Sequence, residues 1–180
     1  MSSFREEVLL TKEECEAIVK AHNHYSGTKV YSNRGFLDKK TIEKYRGLRN
    51  ESTVPLSKSN EEMLLSKLSK FGIVSIPDYN MVVNYSIGES CKPHTDKGVD
   101  STTGKRVKTI IIQLSEDTNY SGGSLVVKDE KEIECSKVQG NVIMFDSKLV
   151  HYVTEITSGT RLAQVLWLDN ENLGIKKGLI

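Results

Sequence analysis

The chain has 180 residues, 37% apolar and 27% charged, with 25 basic and 24 acidic side chains for a net charge of +1. That composition suits one globular domain with a real core, not a disordered chain, and gives no overall field toward nucleic acid or membrane. No apolar run approaches the ~18 residues that span a bilayer, and the charged stretch Met1–Glu7 lacks the apolar region of a secretory signal. Three widely spaced cysteines, Cys15, Cys91 and Cys135, predict no disulfide framework and a reducing, cytoplasmic compartment.

The first predicted element is a helix. Thr11 stands as N-cap with Glu14 three residues on, the capping-box pattern, and Cys15, Ile18, Val19 and His22 fall on one helical face. It frays near His24–Ser26, with Gly27 as a stop. Residues 28–58 lose periodicity and carry Arg34, Lys39, Lys40, Lys44, Arg46 and Arg49 beside Tyr31, Phe36 and Tyr45. This is either a solvated loop, with a short helix around Asp38–Tyr45, or a flap over a channel. Ser59 and Glu62 offer a second capping box, for a helix through Met63, Leu64, Leu65 and Leu68 to about Lys70, ended by Gly72.

From Met81 the pattern is β. Strands are predicted at Met81–Ser86, Lys92–Asp96, Val107–Leu114, Ser124–Lys128, Ile133–Cys135, Asn141–Phe145, Val150–Ile156 and Leu162–Leu168. Val107–Leu114, the longest apolar run, is the expected central strand. Asp117–Gly123 and Ser158-Gly159 read as turns. Helices first and strands afterwards argue for helices packed on a β-rich domain, and this strand spacing suits a sandwich, barrel or double-sheet jelly roll.

The chemistry concentrates at Lys92-Pro93-His94-Thr95-Asp96. On a strand, His94 and Asp96 would project to one face. With His151 they make the two-imidazole, one-carboxylate set that holds non-haem Fe(II) with positions left open. Arg161 opens an apolar strand just past a turn. Either it is a surface residue, or it points inward, where an unpaired guanidinium is costly and a dicarboxylate would suit its planar fork. A zinc reading of Cys91-x-x-His94 lacks the rest of a tetrahedral set. His22 and His24 diverge around their helix, and Gly122-Gly123 precedes a strand, unlike a phosphate loop.

Across half the chain, Met81 to Asn170, this sequence resembles the Fe(II)- and 2-oxoglutarate-dependent dioxygenases. The likeness is to the prolyl-4-hydroxylase-like branch, which includes the bacterial PKHD-type hydroxylases. It is carried by Asn84-Tyr85-Ser86-Ile87-Gly88 leading to Pro93-His94-Thr95-Asp96, then Leu114-Ser115-Glu116-Asp117 and Tyr120-Ser121-Gly122-Gly123-Ser124-Leu125. Gly140 through Phe145, Leu149-Val150-His151-Tyr152-Val153 and Gly159-Thr160-Arg161 through Trp167 follow in matching order and spacing. The helix start Leu10-Thr11-x-x-Glu14-Cys15 adds to it.

The resemblance implies a mainly β fold with flanking N-terminal helices, a double-stranded β-helix (jelly-roll) barrel. Residues 1–180 would form one domain: a helical and loop support region at 1–78, the jelly-roll core at 79–170 and a tail at 171–180. It implies His94, Asp96 and His151 as iron ligands, Arg161 as partner of the distal carboxylate of 2-oxoglutarate, and Tyr85 in the co-substrate or substrate pocket. Some animal members place a Tyr on the central strand to hold that carboxylate; Ile111 and Ile112 stand there here, leaving Thr109 or Gln164 as candidates.

The implied activity is hydroxylation coupled to decarboxylation of 2-oxoglutarate to succinate, using O2, with ascorbate as a candidate accessory. Asp96 speaks against halogenation, and Trp167 stands where nucleic-acid-demethylating relatives carry a second Arg. Peptidyl proline is the substrate expected from the likeness. A free amino acid or small metabolite, and a non-catalytic ligand-binding jelly roll, are the alternatives. No nucleic-acid or membrane partner is expected.

Overall fold

The two periodicities of the sequence become two layers. In a computed structural model, which describes residues 3–26, 50–53, 56–77 and 80–175, two α-helices cover one face of a large sheet and a smaller sheet covers the other. In chain order the elements are β1 (Phe4–Val8), α1 (Lys12–Ser26), β2 (Asn50–Thr53), α2 (Lys58–Leu68), β3 (Asn80–Tyr85), β4 (Cys91–His94) and β5 (Lys108–Gln113). Then come β6 (Tyr120–Gly122), β7 (Leu125–Lys128), β8 (Glu132–Glu134), β9 (Asn141–Asp146), β10 (Val150–Val153), β11 (Ile156–Gly159) and β12 (Arg161–Leu168).

The large sheet has the order β1-β9-β5-β12-β3-β2, the smaller one β4-β10-β7-β8, and β11 pairs with β6 alone. Sequence neighbours are seldom sheet neighbours, as the double-sheet jelly roll requires. The fold class expected from the sequence is therefore present. The sheets stay separate, so the architecture is an open sandwich and not a closed barrel. β5 lies inside the large sheet, as its apolar run predicts.

Alternation along β5 and β12 divides the core in two. Ile110, Ile112, Leu166 and Leu168 face outward and share a buried cluster with Cys15 and Ile18 of α1 and Leu64 and Leu68 of α2. Ile111, Ala163 and Val165 face inward, clustered with Val83 and Tyr85 of β3 and Leu125, Val127 and Val153 of the smaller sheet. Each buried aliphatic side chain contributes ~1.5–3 kcal/mol, so both clusters hold the layers together.

The capping box forms as read: Thr11 N–H donates to Glu14 Oε2 at 2.8 Å, and Glu14 N–H to Thr11 Oγ1 at 3.3 Å. The second helix begins earlier than expected. Its N-cap is Ser57, whose Oγ accepts from Asn60 N–H at 3.2 Å, so Ser59 lies within the helix. Gly72, at φ 80°, ends the short 3₁₀ turn that follows.

Several expectations need correction. The first element is the edge strand β1, not α1; its burial shows no alternation because Arg5–Val8 are exposed and its pairing is the backbone ladder to β9. The stretch Val150–Ile156 is two strands, since the chain leaves the smaller sheet at Thr154-Glu155 and pairs with β6, itself read as a turn. Ser158-Gly159 accordingly belongs to β11. Strand β2, polar in sequence, pairs with β3 at the sheet edge. The suggested flap at 28–58, apart from β2 and residues 56–58, and the stop at Gly27 lie outside the described residues.

Candidate metal and co-substrate site

His94 and His151 meet because β4 and β10 are neighbours: the two residues are direct register partners in the smaller sheet. Their rings lie 4.3 Å apart, and Phe145 packs 4.7 Å from the His151 ring. Asp96 is not on the strand as read from the sequence. It sits in the bend past the end of β4, fixed by its backbone N–H donating to Ser147 O at 3.0 Å. That bend turns its carboxylate between the imidazoles, with Oδ1 at 3.6 Å from His94 Nε2 and Oδ2 at 3.4 Å from His151 Nε2.

The ligand atoms of the three residues all lie within 4.8 Å of one another, the one such cluster of ligating side chains among the described residues. Each imidazole is oriented in the same way. His94 Nδ1 lies 2.8 Å from Lys92 O and His151 Nδ1 3.1 Å from Leu149 O. A donated Nδ1–H orients each ring with Nε2 toward Asp96, the atom at which a metal would take the place of a proton.

Charge in this cluster is strongly coupled. Burial works against charge on His94, but the adjoining Asp96 carboxylate and Cys91 outweigh it and hold the imidazole up at about 10. Burial likewise pushes Asp96 up, yet the hydrogen bond from His94 and the nearby imidazoles draw it well below the carboxylate range. A divalent cation would take the place of the imidazolium charge as the partner of Asp96. Two neutral imidazole nitrogens and a carboxylate converging on one point fit non-haem Fe(II).

Beyond the triad, the sheets enclose an apolar cavity walled by Val83, Leu125, Val153 and Val165, with Tyr85 beside it. Arg161 points inward: it is 1% exposed, and its guanidinium carbon stands 5.2 Å from the Tyr85 ring centroid. Nη2 donates to Gln113 Oε1 at 2.9 Å, while Nε has no hydrogen-bond partner. Among the described residues no carboxylate lies within ion-pair distance of Arg161. The surface reading of this residue is thereby excluded.

Two further polar atoms share its surroundings without hydrogen bonds, Gln113 Nε2 and the Tyr120 hydroxyl. Burial raises the Tyr120 pKa and the charge of Arg161 counters it. Gly123, at φ 64°, keeps this corner open, because a Cβ there would stand 3.2 Å from both Arg161 Cδ and Tyr120 Cε2 and 2.3 Å from Ile156 Cδ1.

Of the residues singled out in the sequence, the structure brings His94, Asp96, His151, Tyr85 and Arg161 to one interior. The alternatives for the missing Tyr do not stand by Arg161. Thr109 Oγ1 donates to Asp96 Oδ2 at 2.8 Å and lies 3.0 Å from Ser147 Oγ, while Gln164 donates to Asn80 at 3.3 Å. Sequence reasoning missed Gln113, Tyr120 and Ser147, and it named Thr109 for the co-substrate carboxylate and not for Asp96. A signal was present for Gln113, which like Thr109 is polar at an inward position of β5.

Comparison with known proteins follows the same residues. The sequence profile of the 2OG-Fe(II) oxygenase superfamily matches residues 80–169. A PKHD-type hydroxylase of Shewanella sp. (strain MR-7) is 34% identical over 90 residues, which covers 48% of this chain and 40% of that protein; the match thus spans less than half of the relative's length. In fold, the chain is similar to a Pseudomonas putida prolyl-4-hydroxylase, with a TM-score of 0.63, 14% identity and coverage of 93% and 92% of the two chains. It is also similar to a Trichoplax adhaerens prolyl hydroxylase solved with a hypoxia inducible factor peptide fragment, with a TM-score of 0.66, 14% identity and coverage of 98% and 88%. Fe(II), 2-oxoglutarate and O2 are the reagents of the matched family, and the His-Asp-His cluster fits that iron. With half of its residues matched, from β3 through β12, the chain belongs to the 2OG-Fe(II) oxygenase superfamily.

Proposed function

We propose that the protein is an Fe(II)- and 2-oxoglutarate-dependent hydroxylase in which His94, Asp96 and His151 hold iron and Arg161 holds the distal carboxylate of 2-oxoglutarate. The observation that carries this reading is the buried guanidinium of Arg161, without a carboxylate among the described residues and with Nε unpartnered. An uncompensated buried charge costs several kcal/mol, and a dicarboxylate co-substrate removes that cost. Gln113 Nε2 and the Tyr120 hydroxyl supply two more donors for the same group, and Tyr85 walls the space between it and the triad.

Bound iron supplies O2 activation coupled to conversion of 2-oxoglutarate to succinate. The chain's own part is position and shielding. Lys92 O and Leu149 O orient the imidazoles, Thr109 and Ser147 fix Asp96, and the apolar walls exclude water from the reacting centre. Asp96 occupies the position that a halide would need, which favours hydroxylation.

Peptidyl proline is the first substrate to test, since PKHD-type hydroxylases and prolyl hydroxylases are the relatives in sequence and fold. A free amino acid or small metabolite is the alternative. The non-catalytic reading is weakened because the three ligand residues and Arg161 are all retained. Residues 1–180 are proposed to act as one domain, with 1–78 supporting the core at 79–170 and a tail at 171–180. Three free buried cysteines favour a cytoplasmic setting; among the described residues no helix is long and apolar enough to cross a membrane.

The test is succinate release by the purified protein with Fe(II), ascorbate and 2-oxoglutarate, with proline peptides added in parallel. Release that depends on iron and rises with substrate supports the assignment. Absence of both iron and 2-oxoglutarate binding would remove it.

A further inference from the structure

Between the ligand residue Asp96 and the strand β5 the chain makes a loop that is bonded to itself. Gly98 N–H donates to Thr103 O at 3.3 Å, Gly104 N–H to Asp100 O at 2.9 Å and Arg106 N–H to Thr103 O at 3.2 Å. Asp100 Oδ1 accepts from the N–H groups of Thr102 and Thr103. Ser147 closes the neck of this loop: its carbonyl accepts from Asp96 N–H at 3.0 Å and Lys97 N–H at 2.9 Å, and its own N–H donates to Val107 O at 3.0 Å.

The carbonyl of Asp96 faces the other end of the loop. Arg106, half-buried, reaches back so that Nη1 donates to Asp96 O at 3.3 Å. Its guanidinium carbon stands 3.9 Å from the centre of a Trp167 ring, and Trp167 in turn walls the cavity of His94, Asp96 and His151. Stacking on an indole fixes the guanidinium plane, and with it the direction of the N–H groups. The peptide that follows Asp96 is thus gripped at both polar atoms, the C=O by Arg106 and the N–H by Ser147. With Asp96 N–H held as well, both backbone torsions of Asp96 are set, and its carboxylate starts from a fixed point.

We propose that Arg106 is a positioning residue for the metal site, acting through the backbone of Asp96 and the ring of Trp167 to aim the Asp96 carboxylate between the two imidazoles. This inference rests on the reading of His94, Asp96 and His151 as metal ligands, and it adds a residue that works from behind one of them. The sign of its effect separates this role from its charge. A guanidinium repels a nearby divalent cation, so removal of the charge alone would tighten metal binding. Removal of a group that orients a ligand weakens it, by ~10–100-fold. The bond from Arg106 is long, at 3.3 Å, so the low end, about tenfold, is expected.

The test titrates Co(II) into the metal-free protein under nitrogen, with affinity read by calorimetry and site geometry by the visible absorption of the bound ion. Arg106→Ala should bind Co(II) about tenfold more weakly than the wild type and change that absorption. Millimolar methylguanidinium should restore both, and methylammonium at the same concentration should not, because only the planar fork stacks and donates as Arg106 does. Arg106→Met keeps packing against Trp167 without a donor; it should show the same weakening, and it carries the test if Arg106→Ala does not fold. Lys105→Ala, which removes an exposed neighbouring cation, should leave the affinity equal or slightly tighter. Affinity equal to or tighter than wild type in either Arg106 variant, or weakening that methylguanidinium fails to reverse, overturns this inference alone. Failure of the wild type to bind metal removes the metal reading and this inference with it.

Discussion

Replacing Thr109 with Val keeps the shape of the side chain and removes one hydroxyl. In the structure that hydroxyl is completely buried, donates to Asp96 Oδ2 at 2.8 Å and lies 3.0 Å from Ser147 Oγ. A hydrogen bond to a charged group contributes ~1.5–3 kcal/mol, and each 1.4 kcal/mol is tenfold in an equilibrium constant. Without it the Asp96 carboxylate loses its stop against rotation, so Thr109→Val should weaken metal binding by roughly 10- to 100-fold, the usual cost of losing a group that orients a ligand. Trp167 lines the same cavity, so quenching of its fluorescence by Co(II) reports occupancy directly. Thr109→Ser keeps the donor and should restore most of the affinity. Metal affinity in Thr109→Val within twofold of wild type would refute the role given to this hydroxyl.

Arg161→Met should raise the 2-oxoglutarate requirement by at least about 100-fold with metal affinity little changed, because leaving the co-substrate carboxylate buried without its partner costs several kcal/mol. In the ligand-free protein the same change should leave the thermal midpoint equal or higher, and a clear fall would mean that its contacts with Gln113 and Tyr85 outweigh the cost of the buried charge. Gly140→Ala should destabilise by about 2–4 kcal/mol, since φ is 82° and the new Cβ would sit 2.0 Å from Leu10 O, a backbone atom that cannot swing aside. A denaturation midpoint unchanged by it would contradict the packing of β9 against the α1 entry. Burial pushes the thiols of Cys15 up to about 11 and Cys135 up to about 12. A raised thiol pKa leaves the reactive thiolate scarce below that pH, about one molecule in a thousand or fewer at pH 8. Both should resist a thiol reagent in the folded protein and react at once in denaturant; prompt native labelling would show that they are reached by solvent.

What the sequence made legible was whatever local chemistry dictates. Thr11 and Glu14 cap α1 because that pair satisfies two orphan N–H groups without help from the rest of the fold. The run Val107–Leu114 announced an interior strand by its apolarity, and His94, Asp96, His151 and Arg161 were the side chains with no structural reason to recur in a β context. The parts that escaped depend on partners far away in sequence. Strand β1 exists only because β9 offers an edge, and residues Arg5–Val8 stay exposed. The break at Thr154-Glu155 follows from a change of sheet, which no local pattern marks. Asp96 was placed on a strand by its spacing from His94, but the backbone bond to Ser147 draws it into a bend. Gln113 beside Arg161, and Thr109 beside Asp96, become visible only when the inward face of β5 is set against the residues it meets.

The central claim is that the triad and Arg161 form one site. Its most direct test is a titration of 2-oxoglutarate into the protein with and without one equivalent of Fe(II) under nitrogen, followed by Trp167 fluorescence and calorimetry. Because coupling between two ligands is reciprocal, iron and 2-oxoglutarate should each tighten the other's binding. The account predicts one iron per chain, strong mutual tightening in the wild type, and loss of that tightening in His94→Ala, His151→Ala and Arg161→Met. Binding of 2-oxoglutarate that is equally tight without metal, or tightening that survives in both histidine variants, would contradict it.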